Sequence, residues 1–429
     1  MRDLLLVELN ELNLALLEEA TSEFNLPNVR AALGWTRVDT LSADGPASTH
    51  LEPWTQWVSV HTGVPASAHG ITELGEAPAL QHPQLWERLG DHGITSGVWG
   101  VMNASRRAHP AVRFFVPDPW AFDERCHPAH LEHLIAPARA VAKRTGATGE
   151  PSAAMALPRL TVALHRLGLW RTVASAMPAS MAGLFRHGPR ALVFYAPYEF
   201  VSVHGFLRMM QLERPRFGVV FMNMLAHAQH YYWDEWERTR GGPMVECLHW
   251  LDGALGALLE ASRDRDVLIY GALGQKPTAH EPPWVMYRHL SHTRLLSLAG
   301  VQPARVEPLM THDAHLFYRS AVDAQSAHTA LSQATVNGQQ LFDVQPVPRD
   351  PTRLVYRVVF TGELDVDAAS FSLSGRTHRF RDHFTRVVKR SGRHTPEATL
   401  LSKRPLGGHL PLLNHEVNTL ILNHFGVAS

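Results

Sequence analysis

The chain has 429 residues, with 40 basic and 40 acidic side chains, so its formal net charge is zero. Hydrophobic residues make up 45% and charged residues 19%. That excludes a disordered, collagen-like or coiled-coil chain and leaves ample material for a buried core. Balanced charge argues against bulk binding to nucleic acid or an anionic membrane, which draw on a basic face, while a local basic patch stays compatible with it. Cys126 and Cys247 are too few for a disulfide framework. The apolar run at 4–7 is broken by Glu8, too early for a secretory leader or a membrane span, and no later stretch reaches ~18 uninterrupted apolar residues. A soluble, cytoplasmic protein is expected. The 27 histidines reflect either codon preference or metal binding, and only their positions can decide between the two.

The first element is a strand over 4–9, nearly all apolar, as a strand buried on both faces should be. A polar Asn10-Glu11 and an amphipathic helix over 12–20 follow. Strand, polar turn and helix open an α/β unit, and ligands of such sheets bind at the C-terminal strand ends. Glu8, Asn10 and Glu11 therefore lie near a possible site. A helix starts at about Pro53 and stops at Gly63 and Pro65. Its free N–H groups suit an anion, although the segment, taken alone, reads first as an ordinary capped helix. A helix over 83–92 leads to a strand over 95–101.

Residues 119–190 are Ala-, Arg- and Pro-rich with helical spacing and no strand, which suggests a helical insertion or cap. Strands are expected at 191–195 and 217–222. After the second come Asn223, His227, Gln229 and His230, and the two histidines share one helix face, as a metal pair requires. A helix over 245–263 and a strand over 266–270 continue the core. Strand candidates within 306–386 indicate a small β-rich subdomain. Thr311-His312-Asp313-Ala314-His315 reads as solvated turn residues, His394 lies in a Gly- and Pro-flanked loop, and a helix over 417–425 packs back on the sheet. The expected organisation is an α/β core in three parts (1–118, 191–305 and 387–429), interrupted by the helical insertion at 119–190 and the β-rich subdomain at 306–386.

Several segments together resemble the alkaline phosphatase superfamily, in its type I phosphodiesterase and nucleotide pyrophosphatase branch. LLLVELNEL looks like the strand and Asp-Gly that open that family. WVSVHTGVPASAHGI is similar to its helix after the nucleophile, and AHAQHYYW to its D-x-x-G-H metal loop. DVLIYGALGQ takes the place of the strand ending in Ser-Asp-His-Gly. SGRHTPEATLLSKRP resembles the late G-x-H loop, and LNHEVNTLILNHFGV the closing helix. The matches keep their order from residue 4 to 427. The resemblance implies an alkaline-phosphatase-like fold, a mostly parallel sheet flanked by helices. It also implies a two-zinc site that cleaves phosphate or sulfate esters through a Thr or Ser nucleophile.

The carry-over is incomplete. The opening Asp aligns with Asn10, the metal-loop Asp with Ala226 and its His with His230. The Asp-His pair has become Ala272, Leu273 and Gly274, while the late His survives as His394. The nucleophile falls near 52–55 in an open register, with Glu52-Pro53 in place of Thr-Pro if two residues are inserted. One metal position has therefore lost its ligands, and the other keeps histidines.

The expectation is a rebuilt site holding one divalent ion, with His230, His394, His227 and Glu8 as ligands. Glu52 is the alternative carboxylate, and the ion is zinc first, with manganese or iron as alternatives. Thr55 and Glu52 are nucleophile candidates, and Asn10 and Asn103 donors to the anion. The substrate would be a small anionic phosphate or sulfate ester, hydrolysed or transferred, with no nucleic-acid or membrane partner. Two other readings remain: iron or manganese redox or lyase chemistry on the same fold, and a non-catalytic binding protein with a decayed site. Trp54, Trp57, Trp233 and Trp236 form either an aromatic wall or core packing.

Overall fold

The computed structural model describes residues 2–45, 50–144, 157–279, 281–282, 284–300, 302–309, 313–347, 350–406 and 411–428. They fall into two compact units, one of residues 1–136, 158–279 and 391–429, the other of 137–157 and 280–390.

The first unit is built on an eight-stranded sheet. Its strands are β1 (Leu4–Leu9), β2 (Thr36–Leu41), β3 (Ser96–Trp99), β4 (Val112–Val116), β5 (Phe217–Met222), β6 (Asp266–Gly271), β9 (Glu397–Ser402) and β10 (Leu412–Leu413), in the order β10-β2-β9-β6-β1-β5-β3-β4. β1 lies parallel between β5 and β6, and only β9 runs against its neighbours. A separate antiparallel pair, β7 (Gly274–Pro277) with β8 (Gly392–Thr395), stands beyond the end of β6 and sets His394 opposite Gln275. The structure thus puts His394 on a strand rather than in a loop.

Both faces of the sheet are covered, which explains the apolar run of β5 and the near-continuous one of β1, interrupted only by Glu8. One core gathers Leu5, Val7 and Leu9 with α1 (Leu14–Glu23), α5 (Ala191–Glu213), α6 (Met224–Thr239) and α7 (Pro243–Ala261). The other gathers Leu4 and Leu6 with Trp57 of α2 (Pro53–Thr62), Trp86, and α8 (Glu416–His424). Gly63 ends α2 at φ 77°, a left-handed position that suits glycine. Ahead of α5 come α3 (Leu157–Leu167) and α4 (Trp170–His187). The strand expected at 191–195 is instead the first turns of α5. A short apolar aromatic run reads alike in a buried strand and a buried helix, and here the apolar pattern continues through Phe206.

The second unit holds a four-stranded antiparallel sheet, Phe342–Val347, Asp350–Val358, Asp313–Phe317 and Arg305–Pro308 in that order. A second small sheet, the pair Trp284–His289 with Phe384–Arg390, and the helix Ala321–Ser332 complete it. Its core is aromatic, including Tyr287, Phe342, Tyr356, Phe371 and Phe384. His315 is buried on a strand, not solvated, with its Nδ1 accepting from Arg353 Nε at 3.2 Å, and burial pushes it down to about 3. Thr311 and His312 lie outside the described residues.

Candidate metal centre

β1 ends in Leu9, and the chain turns at once. Asn10 N donates to Met222 O at the end of β5, and Glu11 adopts a left-handed backbone, φ 56°. A non-glycine residue there carries strain on the order of 1 kcal/mol. The resemblance puts a glycine at this position. In this chain the left-handed residue is a glutamate and carries a carboxylate.

That carboxylate is buried and meets two histidines. Glu11 Oε2 lies 3.1 Å from His230 Nε2, and Glu11 Oε1 lies 3.3 Å from His394 Nε2. His230 comes from the second turn of α6 and His394 from β8. The three form a group that could hold a metal ion. The spacings suit this, since an ion with ~2.0–2.1 Å bonds keeps its ligand atoms about 3.3 Å apart in a tetrahedron. Burial alone would raise the Glu11 carboxyl; the charges and hydrogen bonds of His230 and His394 outweigh it and hold Glu11 well below the usual carboxylate range.

The surrounding hydrogen bonds fix the proton positions. Trp233 Nε1 is only a donor, and it donates to Gln275 Oε1 at 3.0 Å. The Gln275 amide nitrogen must therefore face the other way, where it donates to Glu11 Oε2 and, at 3.0 Å, to His230 Nδ1. His230 Nδ1 is thus an acceptor, and the ring proton sits on Nε2, pointing at Glu11. His394 is the reverse case. Its Nδ1 faces Leu51 O at 3.0 Å, with Glu52 Oε2 at 3.4 Å, so Nδ1 carries a proton. Its Nε2 then needs a second proton or a cation to face Glu11. His394 is set up as ligating histidines are, with the remote nitrogen donating to a carbonyl. The donor atoms of all three residues fit a divalent ion; the partner of His230 Nδ1 does not, because a ligating Nε2 leaves Nδ1–H against the Gln275 amide.

The rest of the site is braced. Gln229 Nε2 donates to Glu11 O at 2.8 Å, and Ser391 N donates to His230 O at 3.1 Å. A Cβ on Gly392 would stand 2.5 Å from Gln275 Oε1 and 2.7 Å from Trp233 Cδ1, so this close approach requires glycine.

The other expected residues are dispersed. Glu8 sits three residues before Glu11 on β1 and points to the opposite core, where it lies 2.7 Å from His61 Nε2, both buried among Trp57 and Trp86. Side chains alternate along a strand, so Glu8 cannot reach the triad. His227 stacks on Tyr195 with ring centroids 4.7 Å apart, and burial pushes it down to about 4. Asn10 is beside the triad, but its amide nitrogen already donates to Asn223 Oδ1 at 2.8 Å and Glu11 Oε1 at 3.2 Å, while its oxygen accepts from Trp57 Nε1. Asn103 donates to the carbonyls of Trp54 and Glu73, which leaves neither hydrogen for an anion. Thr55 is fully buried in α2. Glu52, at the N-cap of α2, lies near His394 and is about a third exposed. Trp57, Trp233 and Trp236 are core residues, and Trp54 donates to Thr72 O.

Sequence reasoning passed over Glu199. This carboxylate in α5 is buried and accepts from Asn223 N and Met224 N, both at 2.8 Å, so it closes the N-terminus of α6, the helix that carries His230. Burial raises it to about 7 against those hydrogen bonds.

No family model and no curated protein matches the chain. Among solved structures it is similar to phosphonoacetate hydrolase from Sinorhizobium meliloti 1021, in complex with phosphonoacetate, at 15% identity over 99% of this chain and 95% of that one, with a TM-score of 0.47. It is also similar to human ectonucleotide pyrophosphatase/phosphodiesterase 5, at 10% identity over 100% of this chain and 96% of that one, with a TM-score of 0.45. Among the described residues no helix is long and apolar enough to cross a membrane.

Proposed function

We propose that this chain is an enzyme acting on a small phosphate or sulfate ester, by hydrolysis or group transfer, with one divalent ion held by Glu11, His230 and His394. The observation that carries this reading is the convergence of the three at the C-terminal end of β1, with ligand atoms 3.1–3.3 Å from Glu11, at the strand end where such sheets bind ligands. A bound divalent ion there would supply Lewis acidity toward an ester oxygen. Glu52 stands where the resemblance sets the nucleophile and is the accessible carboxylate beside His394. It takes a proton from an attacking water or alcohol, whose oxygen bonds to phosphorus or sulfur as the ester oxygen leaves. Thr55 is too deeply buried for that role. Two histidines and a glutamate are a ligand set of hydrolytic zinc enzymes, so zinc is the ion of choice.

The same set also suits ferrous iron, and this supports a second reading, redox or lyase chemistry with iron or manganese. Two buried free cysteines suit a reducing compartment such as the cytoplasm.

The test is metal content by mass spectrometry on protein purified without a metal-affinity column, alongside ester turnover. About one equivalent of zinc, lost together with turnover in His230→Ala, is the expected result. Iron or manganese in its place selects the second reading. Wild-type protein without metal refutes both and leaves a binding protein.

A further inference from the structure

Helices α3 and α4 carry a surface that the candidate site does not use. From Pro151 to Tyr198 the sequence contains no aspartate or glutamate, yet it includes Arg159, Arg166, Arg171, Arg186 and Arg190. Along α4, Trp170, Met177, Met181 and Phe185 follow at steps of seven, four and four residues, which places them on one stripe. They are 46%, 51%, 43% and 82% exposed, while Ala176 and Gly183 form the buried face. The helix therefore packs through small residues and turns its large apolar side chains outward. Phe194, near the start of α5, is also more than half exposed. At ~200 Å² per side chain the four α4 residues offer about 400 Å² of apolar surface. That equals the largest apolar patch of an ordinary monomer, and such patches mark interaction sites.

Charge and area select the occupant. Arg186 is paired with Glu246 at 2.6 Å and Arg190 with Glu235 at 2.8 Å. Arg159, Arg166 and Arg171 are exposed, and among the described residues none has a carboxylate partner. Arg171 directly follows Trp170 and flanks the stripe. A second copy of the chain would set basic face against basic face over about half of the ~800 Å² per partner that stable association buries. An anionic bilayer has neither problem: its acyl boundary accepts Trp, Phe and Met, and its phosphates accept arginine. We propose that the α3–α4 face docks peripherally on a bilayer containing anionic phospholipid, with the α4 stripe entering the interface and Arg166 and Arg171 meeting lipid phosphates. The zero net charge of the whole chain hides this local asymmetry.

The test is co-sedimentation of the full chain with phosphatidylcholine vesicles, with and without phosphatidylglycerol. The expected result is binding only to the phosphatidylglycerol vesicles, weakening as salt rises. Met181→Glu with Phe185→Glu should lower that binding about tenfold or more without changing Tm, since both side chains are exposed. Arg166→Glu with Arg171→Glu should do the same and carries the test if the first variant misfolds. Equal binding to neutral vesicles, no binding to either, or variants that bind as the wild type does would overturn the proposal. So would a lipid-free dimer that the Met181/Phe185 variant abolishes, which would make a second copy the occupant.

Discussion

Replacing Gln275 by glutamate tests the proton assignment at its centre. Gln275 presents an N–H to His230 Nδ1 because Trp233 holds its oxygen. In Gln275→Glu one carboxylate oxygen still accepts the indole N–H, and the other becomes an acceptor at His230 Nδ1. That completes the carboxylate–histidine–metal arrangement the wild-type chain lacks. Such partners are worth about 10–100-fold in metal affinity, or about 1.4–2.7 kcal/mol. Without metal the effect reverses, because the new carboxylate stands where an amide now donates to Glu11 Oε2. Two like charges ~4 Å apart repel by about 4 kcal/mol near a protein surface. The variant should therefore bind zinc at least about tenfold more tightly by calorimetric titration and, after chelation, melt well below the wild type. Affinity unchanged or weakened, with the apo protein as stable as the wild type, would refute the assignment of the His230 proton to Nε2.

Three further outcomes are expected. Gly392→Ala drives a methyl between Gln275 and Trp233, so unfolding experiments should show a loss of about 1–3 kcal/mol, and calorimetry should show weakened metal binding. Glu8→Ala leaves His61 buried without its carboxylate; stability should fall by about 3 kcal/mol while metal stoichiometry by mass spectrometry stays at the wild-type value. Glu199 makes stability fall as pH rises. Its folded value of about 7 lies above its ordinary 4.5, so between these the unfolded chain has lost the proton that the native state keeps. At ~1.36 kcal/mol per pH unit, the contribution lost from pH 4.5 to 7 is about 3 kcal/mol. Urea unfolding of the wild type and Glu199→Gln across that window should show this slope in the difference between them.

Much of the frame was legible because its signals are local. β1, β5 and β6 are six-residue, mostly apolar strands between polar turns and stand within one residue of their expected bounds. His230 and His394 were found through motif spacing. Glu11 was placed near the strand end but not among the ligands, because the aligned position is a glycine and composition does not reveal that a glutamate has taken over a left-handed turn. The expected carboxylate, Glu8, stands three residues before Glu11 on β1, where strand alternation turns it to the other core. His227 shares a helix with His230, yet Tyr195 of α5 captures its ring, and no sequence pattern links those two. Gln275 and Glu199 are invisible for the same reason: their meaning lies in partners 42 and 24 residues away.

The one reversed strand has a consequence for how the protein is made. β9 lies between β2 and β6, and His394 reaches the triad from the β7–β8 pair just before it. On the ribosome, β2 and β6 are complete long before the strand that joins them emerges. Until residues 392–402 leave the exit tunnel, the two carry unpaired inner edges, a state open to pairing with other chains. The site has only two of its three ligands during the same interval. Any ion would therefore be acquired after nearly all of this chain has been synthesised, and slowed translation ahead of codon 392 would prolong the interval of greatest aggregation risk.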